Sequence, residues 1–133
     1  MDLSLTRERA HDALEQAHKL SVRTPVVEQA ATVQNLLGSR LASAALGINN
    51  TRTLLRWSQG GCSRREVAEH RLQILYHLVT AISLIYDERV AVAFLRGSNP
   101  SLDNQAPMEV LAAERPARAG PRLLAAVELL LSG

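Results

Sequence analysis

The sequence predicts an all-α protein, on three observations. Leu and Ala supply much of the 47% hydrophobic fraction while aromatics are only 3%, and with Arg and Glu they are strong helix formers. Val and Ile fall within helix-period patterns, and no segment alternates with period two over a strand length. Gly and Pro stand between these patterns and separate them. The 133 residues suit one domain with a real core, or one domain plus a small appendage. The chain is too hydrophobic to be disordered throughout.

A first helix is expected from Thr6 to Leu20. Ala10, Ala13, Leu14, Ala17 and Leu20 share its stripe. Burying so much Ala is worth little per residue, which suits a mobile segment or one that packs on a partner. Thr24-Pro25 reads as an N-cap followed by proline at the first helical position. The second helix then turns Val26, Val27, Ala30, Val33 and Leu37 inward until Gly38 stops it. Ser39 is placed to cap the third helix.

Arg40 to Leu46 reads as a short Ala-rich helix ended by Gly47. Ile48-Asn49-Asn50 is a turn, and Thr51 to Ser58 is a second short helix closed by Gly60-Gly61. Two short helices joined by a tight Gly-containing turn make a helix-turn-helix pattern. Ser63-Arg64-Arg65-Glu66 is a capping box. The long helix after it, to Tyr86, spans about 35 Å. Its stripe of Val67, Ile74, Leu75, Leu78, Ile82 and Ile85 is the strongest amphipathic signal and marks the central core helix.

Asp87 and Glu88 place acids at the start of the next helix, which runs to Leu95. Val90, Ala91, Ala93, Phe94 and Leu95 leave it little polar surface, so deep burial is expected. Gly97-Ser98-Asn99-Pro100 breaks it and opens a polar loop to Ala106. In that loop Leu102 reads as an apolar plug, and Asp103 as the residue making an Asx-type bond. Pro107 starts a short helix, Met108 to Ala113. Pro116 and Gly120-Pro121 frame a linker before a final helix, Arg122 to Leu131. That helix carries Leu123, Leu124, Val127, Leu130 and Leu131, and its apolar end either tucks into the core or inserts into a partner.

Fifteen Lys+Arg against thirteen Asp+Glu give a net charge of only +2. The distribution says more. Arg40, Arg52, Arg56, Arg64, Arg65 and Arg71 stand against Glu66 and Glu69, a net +4 in one stretch; the other nine basic and eleven acidic residues make −2. Lys19 is the only Lys. Arg forks suit phosphates and bases, but genomic base composition also favours Arg with Ala and Leu.

In a helix-turn-helix the second helix offers its N-terminal, outward residues to base edges. Here those are Asn50, Thr51, Arg52, Thr53 and Arg56, with Asn49 in the turn before them. Arg suits guanine, Asn suits adenine and Thr either a base or a phosphate. Arg40, Arg64 and Arg65 flank the helix for backbone phosphates. Ala42 or Ala45, Gly47 and Leu54 supply the small, turning and apolar positions. Trp57 reads as a core anchor.

No enzymatic activity, cofactor or metal is expected. His70 and His77 are two turns apart, and none of His11, His18, His70 and His77 forms the i,i+4 pair of a zinc site. No nucleophile elbow or phosphate-cradling loop is visible. Single Cys62 excludes an intramolecular disulfide and fits a reducing compartment. Met1 to Leu20 is charged, without an apolar signal core, and no apolar run approaches a membrane span. A cytoplasmic protein is the expectation.

Two segments resemble a known family. The run from Arg89 to Leu111, with Phe94-Leu95-Arg96-Gly97-Ser98-Asn99-Pro100, Leu102, Pro107 and Val110-Leu111, resembles the C-terminal domain of Xre/MbcA/ParS-type antitoxins of RES–Xre type II toxin–antitoxin systems. Leu46 to Gly60 resembles that family's Xre-like helix-turn-helix, and the helix from Ser63 its connecting helix. The likeness covers residues 38 to 133, and the turn is one residue longer than the family's common pattern.

The resemblance implies an Xre-like helix-turn-helix bundle followed by a small helical C-terminal toxin-binding domain. It divides the matched chain into 38–86, helix-turn-helix and connecting helix, and 87–133, the antitoxin domain; residues 1–37 fall outside the likeness and are read as N-terminal helices, an appendage or a dimerisation element. It implies a homodimer that binds operator DNA, represses its own operon and neutralises a RES-domain toxin that degrades NAD. Thr51, Arg52 and Arg56 would face DNA, and Leu129, Leu130, Leu131, Ser132 and Gly133 would meet the toxin. The alternatives are an orphan DNA-binding transcriptional regulator of the same fold, and an interaction module with a degenerate helix-turn-helix.

Overall fold

A computed structural model describes residues 3–48 and 66–133. Its helices are α1 (Leu3–Arg23), α2 (Val26–Leu37), α3 (Ser39–Ala45), α4 (Glu66–Ile85), α5 (Glu88–Arg96), α6 (Pro107–Ala113) and α7 (Pro116–Ser132), with a 3-10 turn at Pro100–Leu102. Among the described residues there is no strand, only an isolated bridge between Asn99 and Gln105. The all-α class is therefore observed. The start of the long helix, its Ser63 capping box, and the second short helix of the helix-turn-helix lie outside the described residues.

α4 is the hub, with α1, α2, α5 and α7 packed around it. Leu75, Leu78 and Ile82 are buried as expected, but so are Ala68, Leu72, Tyr76, Val79 and Ala81. A helix covered on nearly every side needs apolar residues nearly all round, not one stripe. Val67, assigned to that stripe, is instead 50% exposed.

α1 lies antiparallel on α4 and also touches α7. His77 meets the Leu14 carbonyl, while Gln73, a turn nearer the start of α4, faces that of Ser21. Ala10, Ala13 and Ala17 are buried. Their small side chains suit close approach of two helix axes, which gives an alanine stripe a packing use that its low burial value per residue hides.

The end of α1 leaves carbonyls without helical partners. Buried Gln29 on α2 donates from Nε2 to the carbonyls of Ser21 (2.8 Å) and Thr24 (2.9 Å). Two expected caps are different in detail. Pro25 itself is the N-cap of α2, with no side-chain cap bond, and the Thr24 hydroxyl lies 3.3 Å from that of Tyr76. Ser39 is the first residue of α3, and its Oγ accepts from Gln34 Nε2 at 2.9 Å.

α5 is one-sided rather than deeply buried. Ala91 and Leu95 face the core, Val90 and Phe94 are half-buried, and Ala93 is exposed. Asp87 does more than complement the helix dipole: its Oδ1 accepts from the amides of Arg89 (3.0 Å) and Val90 (3.2 Å).

The largest departure is at the end of the chain. The expected linker around Gly120-Pro121 is helix, because α7 runs unbroken from Pro116. Pro121 faces solvent, where its missing N–H costs a helical bond but no buried group. Gly120 is buried, and a Cβ there would stand 3.4 Å from Ile74 Cδ1. Having no Cβ also eases the clash that disfavours helix before proline.

Candidate functional site

The C-terminal third is built around the loop between α5 and α6. Asn99 Oδ1 accepts from the Ser101 amide (3.0 Å) and hydroxyl (2.7 Å). Asn99 is thus the Asx residue of the loop, not Asp103. Asp103 and Asn104 instead take left-handed backbone, with φ of 56° and 63°, in which Asp and Asn are tolerated. Asn99 N–H donates to the Gln105 carbonyl and Asn104 N–H to the Asn99 carbonyl, which closes the turn. Leu102 is 1% exposed, the plug expected from the sequence. Pro107, Val110 and Leu111 are buried behind it.

Glu114, the C-cap residue of α6, joins this loop to α7. Its carboxylate contacts Arg118 Nε at 3.1 Å and Arg122 Nη1, and Arg122 Nη2 is 3.6 Å from Asp103 Oδ2. From the α4 side, Arg71 Nη2 donates to the Glu114 carbonyl oxygen at 3.3 Å. Sequence reasoning missed this cluster. Its signal was Glu114, Arg118 and Arg122 at successive spacings of four, hidden once a linker was drawn through them.

Of the residues expected to meet a toxin, Leu129 is 64% exposed and Leu130 and Ser132 are half-buried. Leu131 is in the core, and Gly133 is exposed with its N–H on the Leu129 carbonyl. The five residues therefore divide between an outward edge and a core contact.

The residues expected to contact DNA, Asn49, Asn50, Thr51, Arg52, Thr53, Arg56, Arg64 and Arg65, lie outside the described residues, as do Leu54, Trp57 and Cys62. The structure describes the chain leading to them. Ala42 and Ala45 are buried in α3, and Gly47 has φ +69°, the left-handed geometry required of the turn residue. Of the basic stretch, Arg40 is exposed, and Arg71 is half-buried and engaged with Glu114.

His77 is buried where α1 crosses α4, with Nε2 3.0 Å from the Leu14 carbonyl oxygen and its ring 5.6 Å from that of His18. Burial lowers its pKa; the backbone bond to Leu14 opposes that, and His18 adds to it. Among the described residues no three His, Cys, Asp or Glu side chains are grouped to hold a metal, and no helix is long and apolar enough to cross a membrane.

In comparisons with known proteins, no protein-family model, curated protein sequence or solved structure matches the chain.

Proposed function

We propose that the chain is an antitoxin-like regulator. It binds and neutralises a RES-domain, NAD-degrading toxin through the edge of α7. It represses its own operon, as a homodimer, through DNA contacts made by residues 49–65. The observation that carries this reading is the coherence of the segment that resembles the antitoxin family. Asn99 builds the turn, Leu102 plugs it, and Pro107, Val110 and Leu111 seat α6 beneath it. α7 packs on that unit and carries an exposed Leu129 in its last turn. The turn at Gly47 and the basic stretch after it support the DNA half of the reading.

The test is co-expression with the product of the neighbouring gene. Growth arrest by that product alone, relieved by this chain, is the expected result. A harmless neighbour, or arrest that this chain does not relieve, sinks the antitoxin reading. Specific binding to the upstream duplex would then leave the orphan regulator.

A further inference from the structure

Two hydrogen-bonding groups at the α6–α7 corner lack partners, and they are complementary. Glu114 Oε1 is buried with no aligned donor, although Arg118 Nε is 3.1 Å away: the charges are close, but the N–H does not point along the contact. Across the corner, Arg71 Nε–H is buried with no acceptor, while its Nη2 holds the Glu114 carbonyl oxygen. The orphan acceptor and the orphan donor belong to residues already in contact. Leaving both unmade is a cost that a second arrangement would relieve.

Arg71 also touches the turn after α3. A Cβ on Gly47 would stand 3.1 Å from Arg71 Nη1 and 3.4 Å from the Ala112 carbonyl oxygen. The guanidinium therefore fills the space between the turn at Gly47 and the end of α6. Any movement of Arg71 changes the support beneath that turn.

We infer that Glu114 is shared between two arginine sets, Arg118 with Arg122 in the arrangement seen and Arg71 in a second, and that the exchange passes a change on α7 to the turn at Gly47. The partner that drives it carries carboxylates. Arg118 has 76% of its side chain exposed, so acidic groups laid over α7 reach it and compete with Glu114. A Glu114 carboxylate that loses Arg118 keeps Arg122 on Oε2, and its half-buried Oε1 is left with no cation beside it, which is costly. The idle Arg71 Nε–H is the donor at hand. The consequence for DNA rests on the function proposed above, because residues 49–65 come directly after this turn.

The Arg71 Nε–H proton resonance of the 15N-labelled full chain tests the joint. R118Q/R122Q removes both cations that hold the Glu114 carboxylate toward α7. The signal is expected to move downfield as the carboxylate accepts it, and to return when E114Q is added. An unmoved signal in all three proteins overturns the joint. R118Q alone is read in the same way if the double variant melts too low to study.

The second arm titrates a duplex from upstream of the chain's own gene. R118Q/R122Q should shift affinity at least about threefold more beside Arg71 than beside R71Q, as coupling through Arg71 requires. Equal shifts in both backgrounds overturn transmission to Gly47. No duplex binding by any of the proteins, wild type included, overturns the DNA reading instead, and the Arg71 resonance then decides the joint by itself.

Discussion

His77 Nε2, on the central helix, lies 3.0 Å from the carbonyl oxygen of Leu14 on α1, inside the interface those two helices bury. In this position the neutral ring donates from Nε2 and leaves Nδ1 bare. Protonation at Nδ1 would put a charge beside His18 in a site already short of water.

Stability should therefore depend on pH. The folded pKa of His77 is below its ordinary value of 6.5, so the folded state binds fewer protons than the unfolded chain. This contribution to stability is complete above that value. It declines as pH falls from 6.5 toward the folded pKa, and declines no further below it. Urea unfolding midpoints at several pH values should show this loss. In His77→Gln, which keeps a donor for Leu14 but cannot titrate, the slope should be shallower. An unchanged slope would assign the pH response to other groups.

Gln29→Ala should destabilise the chain by about 1–3 kcal/mol, the cost of leaving buried groups unpaired. One amide nitrogen serves two carbonyls at the α1–α2 corner, those of Ser21 and Thr24. Urea unfolding is the measurement. A change below about 0.5 kcal/mol, the scale of an ordinary surface substitution, would mean that water replaces the side chain there.

The helical class, the hub role of the long helix and the Leu102 plug were legible because each rests on local pattern. Other features were not, and for physical reasons. Leu72 and Val79 fall off the expected stripe because α4 is wrapped on several sides, which one helix's periodicity cannot report. Pro121 looks like a break, yet at a solvent-facing helix position it leaves no buried group unpaired. Asn99 and Asp103 are both able to make an Asx turn, and the choice between them depends on which one the left-handed turn consumes. In the candidate site, Leu129 and Leu131 stand about 200° apart round the helix. Leu131 continues the stripe of Leu123 and Val127 at spacings of four and Leu129 does not, so their inward and outward places were legible in the helical period but not in an apolar run taken as one contact.

Gly47→Ala should cost about 1–2 kcal/mol from its left-handed backbone alone. A further loss is expected because the new methyl would crowd Arg71 Nη1 at 3.1 Å. Arg71→Ala in the same background should recover part of that further loss, since it removes the crowding atom. A thermal-melting comparison of the single and double variants is the check. Strictly additive losses would show that Arg71 simply swings aside.

Leu102→Ala should destabilise by about 2–5 kcal/mol, as for a large buried side chain cut back to a methyl. Leu102 is 1% exposed under a polar loop, and its removal leaves the Asn99 turn without its anchor. Amide hydrogen exchange at Ser101 and Asn104 should accelerate more than at α4, because the loop opens locally before the hub does. Uniform acceleration over the whole chain would show that the loop does not open separately from the core.

Leu129 and Leu131 separate partner binding from folding. Leu129 is 64% exposed and Leu131 only 2%. Leu131→Ala should therefore lower stability by about 2–5 kcal/mol, as a core truncation does. Leu129→Asp should cost less, about 1 kcal/mol, from an acid in the last helical turn and the lower helix propensity of Asp. Under the proposed function their effects on growth reverse that order. Leu129→Asp, although folded, should no longer relieve arrest by the neighbouring gene's product, because a charge would be driven into an apolar contact. Unfolding curves and growth rescue on the same two variants give the answer. Full rescue by Leu129→Asp would remove this edge of α7 from the partner interface.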